Sequence, residues 1–268
     1  MRITAVYTHP VKGAHRLQHD SVAVDPWGLA GDRRWMLVDD DGVGITQRDD
    51  PRLTLLRVRQ RPGGLTLSAP DLPDLDVPEP VDAPEEYVRV FSSQDQAPAR
   101  IAESSWVTAY LGRPARLAWQ ADPTGREVQG PSRPGDVTNL ADGYPVLLAS
   151  TGSLDAVNDW LAEAGEEPVP MTRFRPNLVV GGAPAWAEDG WLGRRLQVGE
   201  VSFRAATACT RCLVTTIDQE TGERASQPLK ILGRHRRYAE GLLFAINLIP
   251  DAPYGVVRVG DPVVLGLS

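Results

Sequence analysis

The stretch LQVGEVSFRAATACTRCLVTTI, residues 196–217, reads as a β-hairpin, a cysteine pair and one more strand. Leu196 and Val198 alternate with polar neighbours, as do Val201 and Phe203, and Gly199-Glu200 between them supplies a tight turn. Residues 213–217 form a β-branched run closed by the turn-rich segment 218–223. The same grammar runs outward in both directions. Residues 35–38, 53–58, 65–67 and 87–91 read as strands, and residues 256–259 and 263–265 flank Gly260-Asp261-Pro262. Residues 71–86, rich in proline and acid, read as an exposed connection. Helical spacing predicts helices over 104–111, 151–164 and 228–239, with Thr151 or Ser153 as the N-cap of the second. Many short strands, frequent turns and few helices predict a mainly β protein built from barrels or sandwiches, not a doubly wound sheet. A polar segment rich in glycine and proline, residues 120–135, suggests a boundary between residues 1–120 and 121–268.

Composition excludes several classes. Hydrophobic residues make up 42% and charged residues 24% of 268, a globular balance. The net charge of −7 provides no basic stripe for a nucleic acid. No apolar run approaches the roughly 20 residues of a membrane-spanning helix. The N-terminal ten residues lack the apolar stretch and cleavage site of a signal peptide. Two cysteines, three residues apart, fit a reducing compartment and a cytoplasmic location.

The pair Cys209-Thr210-Arg211-Cys212 is the sharpest chemical feature. A thiolate is the form that binds a metal, and the adjacent Arg211 favours the charged state. Three other readings stay open on spacing: a redox pair, half a zinc site, or two core thiols. Thioredoxin-like pairs open a helix, however, and His9, His15, His19 and His235 show no paired ligand spacing. Arg175 offers a forked donor for phosphate and Asn177 can donate and accept. Residues 150–153 open the best helix, where free backbone N–H groups suit an anion as well as a simple cap. Lys12 and Arg33 each stand beside a glycine near a strand end, where a phosphate could approach.

Taken in order, these segments form a set: Pro10-Val11-Lys12, Gly31-Asp32-Arg33-Arg34-Trp35, Asp142-Gly143-Tyr144-Pro145, residues 150–154, Arg173-Phe174-Arg175-Pro176-Asn177, Ala187-Glu188-Asp189-Gly190-Trp191, the cysteine pair and Gly260-Asp261-Pro262-Val263. The set resembles proteins with a molybdenum cofactor sulfurase C-terminal (MOSC) domain preceded by an N-terminal β-barrel, among them the mitochondrial amidoxime-reducing component and its bacterial counterparts. The resemblance spans nearly the whole chain.

That resemblance implies a β-barrel-like N-terminal domain packed on a β-barrel MOSC domain, with a molybdenum cofactor (molybdopterin) between them. It implies Cys212 as the molybdenum ligand and catalytic thiolate. Lys12, Arg33, Arg175 and Asn177 match positions that hold the pterin or its phosphate; Thr151, Ser153 and Thr210 occupy further cofactor positions. The implied activity is reduction of an N-hydroxylated small molecule, with electrons from a separate donor protein, since neither an iron–sulfur domain nor a membrane anchor is expected on this chain. The alternative is a persulfide carrier or cofactor maturation protein, with Cys209 as resolving thiol. The basic run Arg234-His235-Arg236-Arg237 is a candidate dock for an acidic donor. Two departures stand out: Gly13 replaces a usual serine, and Phe244-Ala245 replaces Phe-Gly.

Overall fold

A computed structural model describes residues 1–90 and 95–266. Strands dominate, and the described residues form three α-helices: α1 (Ser105–Leu111), α2 (Thr151–Glu163) and α3 (Leu229–His235). The mainly β class expected from the sequence is what the chain adopts. The largest sheet has nine strands, ordered Val263–Leu265, Arg195–Val198, Val201–Thr210, Gly241–Asp251, Val146–Ser150, Leu178–Gly181, Arg2–Thr8 and Leu17–His19, with Arg237–Tyr238 added beside Gly241–Asp251. Among the described residues, no pairing closes this sheet into a complete barrel.

The hairpin over 196–203 forms as expected, with Leu196 opposite Phe203 and Val198 opposite Val201. All four side chains are buried, so alternation aims them into the core of the large sheet. A five-stranded sheet (Glu85–Arg89, Gln96–Glu103, Arg116–Trp119, Trp35–Val38, Val11–Lys12) and a three-stranded one (Arg57–Arg61, Gly64–Ala69, Leu72–Pro78) come from the first half. The halves are woven together. Arg2–Thr8 pairs antiparallel with Leu178–Gly181. Ser21–Asp25 pairs antiparallel with Val256–Arg258.

Several expectations are corrected. Residues 213–217 are not a strand: Leu213–Thr216 is a 3₁₀ turn. The Thr215 hydroxyl donates to the Cys212 carbonyl (2.9 Å) and the Thr216 hydroxyl to Leu213 (2.7 Å), so the threonines bond back to local backbone. Residues 53–58 begin as a 3₁₀ turn, Pro51–Leu55, because Asp50 caps it and Pro51 opens it; the strand starts only at Arg57. Within 71–86, Leu72–Pro78 is a strand whose Val77 is buried while Asp74 and Asp76 face water. The strand read over 87–91 is Glu85–Arg89; Phe91 lies outside the described residues. The N-cap position of α2 is Ser150, not Thr151 or Ser153, and its side chain makes no capping hydrogen bond among the described residues. α3 is shorter than predicted, because Arg237 leaves the helix to pair with Leu242.

α2 crosses between the parallel strands Val146–Ser150 and Leu178–Gly181. It buries Val157 and Leu161 with Phe174, Phe244, Ile231 and Leu232. This packing fixes the end of Leu178–Gly181 from which the segment Arg173–Asn177 departs.

Candidate active site

A cavity of about 920 Å³ opens between the segments that carry Lys12, Arg33 and Arg48 and those that carry Arg175, Asn177 and residues 207–212. Five of the seven sequence-predicted positions other than Cys212 line it: Lys12, Arg33, Arg175, Asn177 and Thr210; Cys212 lines it too. Two do not. The Ser153 hydroxyl donates to Glu188 Oε1 (2.6 Å) and accepts from the Trp186 amide (2.8 Å), and Thr151 sits beside Gly181. The start of α2 therefore faces the segment 183–188 rather than the cavity, because Gly152 lets it pack against the Ala183 carbonyl.

Each cation is held by a different device. Lys12 is buried; its ammonium donates to the Leu140 carbonyl (2.8 Å) and to Asp142. Burial pulls Lys12 down from the usual amine value, and the Asp142 charge opposes that pull. Burial would raise Asp142, but Lys12 followed by Arg48 and Arg33 outweighs it and holds the carboxyl at about 2. Half the Asp142 side chain is exposed, opening into the cavity.

Arg33 has left-handed backbone (φ 45°), which turns its side chain inward after Asp32. Its guanidinium donates to Asp32 and to Asn177 Oδ1 (3.1 Å). Asp32 is fully buried and also accepts from the His9 amide (2.6 Å). Burial opposes ionisation of Asp32, while Arg33 and then the His9 hydrogen bond bring it to about 2. His9 is held neutral: burial, then the charges of Arg175 and Arg33, push it well below the ordinary imidazole value. Asn177 is fully engaged, accepting from the Leu147 amide (3.1 Å) and donating to the Tyr7 carbonyl (3.2 Å). It acts by pinning strands and steadying Arg33.

Arg175 also has left-handed backbone (φ 51°), at the end of a 3₁₀ turn. Its guanidinium donates to Gln219 Oε1 (2.8 Å). Burial and then the Arg33 charge lower it to about 9, so it stays cationic at neutral pH.

The thiols are sorted differently from the expectation. Arg211, the sequence neighbour, donates to Cys209 Sγ (2.9 Å) and to the Phe174 carbonyl (2.7 Å). The cation on Cys212 is Arg48, 3.7 Å from its sulfur and 3.4 Å from Asp142 Oδ2. Arg48, Gln47 and Gln219 were not legible as site residues, since their roles depend on contacts more than 160 residues apart in sequence. Asp142 could have been found, because it stands in the segment Asp142–Pro145 already singled out. Both cysteines are free. Among the described residues no three His, Cys, Asp or Glu side chains gather, so a half-zinc site finds no second half.

The basic run is also redistributed. Arg236 is buried, donates to Asp189 (2.6 Å) and lies 4.1 Å from the Trp186 ring centroid, so it holds the segment 186–189 in place and is no docking group. Arg234, His235 and Arg237 are exposed.

Fold and cavity together define a mainly β protein that presents two thiols and a group of cations to a shared chamber. Residues 1–114 match the MOSC N-terminal beta barrel domain and residues 135–264 the MOSC domain. The chain is 30% identical to human mitochondrial amidoxime-reducing component 1, over 98% of this chain and 82% of that protein. It is 28% identical to human mitochondrial amidoxime reducing component 2, over 97% and 82%. A zebrafish molybdenum cofactor sulfurase shares 26% identity over 99% of this chain but 34% of its own length. The chain belongs to the MOSC family and matches the amidoxime-reducing components along nearly its whole length. Its relatives tie that family to the molybdenum cofactor. Among the described residues no helix is long and apolar enough to cross a membrane.

Proposed function

We propose that this chain is a molybdenum-cofactor-dependent reductase of N-hydroxylated small molecules, supplied with electrons by a separate donor protein. The observation that carries the reading is the convergence of Lys12, Arg33 and Arg175 on a cavity that also presents Cys212. The donor set fits a phosphorylated pterin and a soft metal: cations for the phosphate, one thiol for the metal. Arg211 Nε, buried in the cavity wall without a hydrogen-bond partner among the described residues, is a further donor awaiting an acceptor.

In this reading Cys212 holds the metal, Lys12, Arg33 and Arg175 hold the phosphate, and Thr210 offers a hydroxyl. Asp142 and Asn177 serve by fixing Lys12 and Arg33. When bound, the cofactor supplies two-electron redox chemistry. The net reaction consumes two electrons and two protons per N–O bond, releasing the amine or amidine and water. The chain's own part is to orient and to limit water access. A cytoplasmic location belongs to the same proposal, two cysteines being too few for a disulfide scaffold.

The test is expression with cofactor supply, then turnover of an aromatic amidoxime under reduced viologen. The expected result is amidine formation. Stoichiometric molybdenum without turnover on a broad N-oxygenated panel would contradict it. A second reading, a persulfide carrier, is favoured by Cys209 sharing the cavity wall with Cys212. It predicts protein-bound persulfide with little tightly held molybdenum.

A further inference from the structure

The cavity cations differ in what neutralises them. Lys12 is paired with Asp142, Arg33 with Asp32, and Arg48 reaches Asp142 as well. Arg175 makes no ion pair among the described residues, a trait it shares with Arg211, which is bonded to Cys209 Sγ and the Phe174 carbonyl; the hydrogen-bond partner of Arg175 is the uncharged amide of Gln219. That amide is itself locked. Gln219 Nε2 donates to Gln47 Oε1 (3.0 Å) and to the Ile217 carbonyl (3.0 Å), while Gln47 Nε2 donates to Gln219 Oε1 (3.0 Å) and to the Gly13 carbonyl (2.7 Å). Both glutamines are buried.

A reciprocal amide pair of this kind is costly to bury unless every donor and acceptor is used, and here they are. A carboxylate at position 219 would satisfy Arg175 more strongly, as Asp32 does for Arg33. A neutral acceptor fixes the direction of the guanidinium without cancelling its charge.

We propose that Gln219, braced by Gln47, is a positioning residue that aims Arg175 into the cavity while leaving its charge for an incoming phosphate, so that this pair sets affinity for the anionic end of the ligand. The inference rests on the anion-binding reading of the cavity given above and adds which residues tune it. It also makes the site joint property of two distant segments, since Gln47 and Gly13 lie more than 170 residues from Gln219 in sequence.

The experiment compares metal-free wild-type protein with Gln219→Glu and Gln219→Met, using inorganic phosphate as probe, by calorimetric titration at pH 7.5 and by thermal unfolding. Gln219→Glu is expected to unfold later than Gln219→Met, because its ion pair with Arg175 offsets part of the two donations it loses to Gln47 Oε1 and the Ile217 carbonyl, yet to bind phosphate at least roughly tenfold more weakly than wild type. Gln219→Met, which keeps the volume but loses the acceptor, is expected to weaken binding less than Gln219→Glu while lowering the unfolding temperature. A merely structural role would give the opposite order, with binding following stability. Phosphate binding unchanged in Gln219→Glu would overturn the inference and leave the cavity reading standing. Wild-type protein with no phosphate affinity would overturn the cavity reading itself. Should Gln219→Glu not fold, Gln47→Glu, which sets a charge one amide away, is measured in its place with the same expected order.

Discussion

Asp32 shows how a single side chain organises the cationic wall. It is fully buried, yet ionised, because Arg33 and the His9 amide both address its carboxylate. Its carboxyl lies at about 2 in the folded protein against 3.8 unfolded. A depressed folded value contributes stability that is complete above pH 4 and disappears as pH falls through about 2. Asp32→Asn is therefore expected to cost about 3 kcal/mol at pH 7, the order found when one partner of a buried ion pair is removed. The difference between variant and wild type in urea unfolding should narrow from pH 4 towards pH 2. A difference constant across that range would show that the charge is not what Asp32 contributes. Adjacency of Asp32 and Arg33 is plain in the segment 31–35, but the left-handed turn that folds one onto the other is not, so a role for Arg33 is legible there and one for Asp32 is not.

At the scale of elements, the start of α2 and the end of α3 separate structural from ligand-facing roles. Ser153 satisfies Glu188 Oε1 and the Trp186 amide in a buried contact, and Glu188 is pushed above the usual carboxylate value chiefly by burial. Ser153→Ala leaves these groups unpaired and is expected to cost 1–3 kcal/mol, with molybdenum content unchanged. Loss of the metal with stability intact would instead return Ser153 to the cofactor's shell. On α3, Arg236→Glu places a second acid beside Asp189 and removes the cation over Trp186; a marked fall in Tm is expected. Arg237→Glu, on an exposed side chain, should leave Tm within about a degree. Equal effects of the two in thermal unfolding would contradict the burial of Arg236. Periodicity found all three helices because each buries a stripe, and it found the 196–203 hairpin because alternation and turn agree. It failed at 213–217, where threonines that suit a strand bond back to their own backbone. Phe244-Ala245 is explained at this scale too: Ala245 has φ 72°, a conformation glycine adopts more cheaply, which accounts for the family's usual Phe-Gly.

For the whole molecule, the cavity exists only because distant segments interleave. The first strand, Arg2–Thr8, buries Ile3 and Val6 in the core of the large sheet, and Ser21–Asp25 covers it through Val22 and Val24. Expressed alone, residues 121–268 would lose those side chains and expose a sheet edge, so a fragment of that length is expected to show no cooperative thermal transition. A sharp transition by circular dichroism would contradict this. The interleaving was illegible in the sequence, since a strand's partners across the chain are set by register and not by its own composition, whereas the ordered motifs did point to one shared chamber. The thiol in that chamber is the feature on which the functional proposal turns. Elemental analysis of protein purified with ample cofactor supply, wild type beside Cys212→Ala, tests it. The expected result is near-stoichiometric molybdenum in the wild type and a loss of most of it, or of all redox activity, in the variant at unchanged Tm. Equal molybdenum and equal turnover in both would contradict the assignment of Cys212 as the metal's ligand.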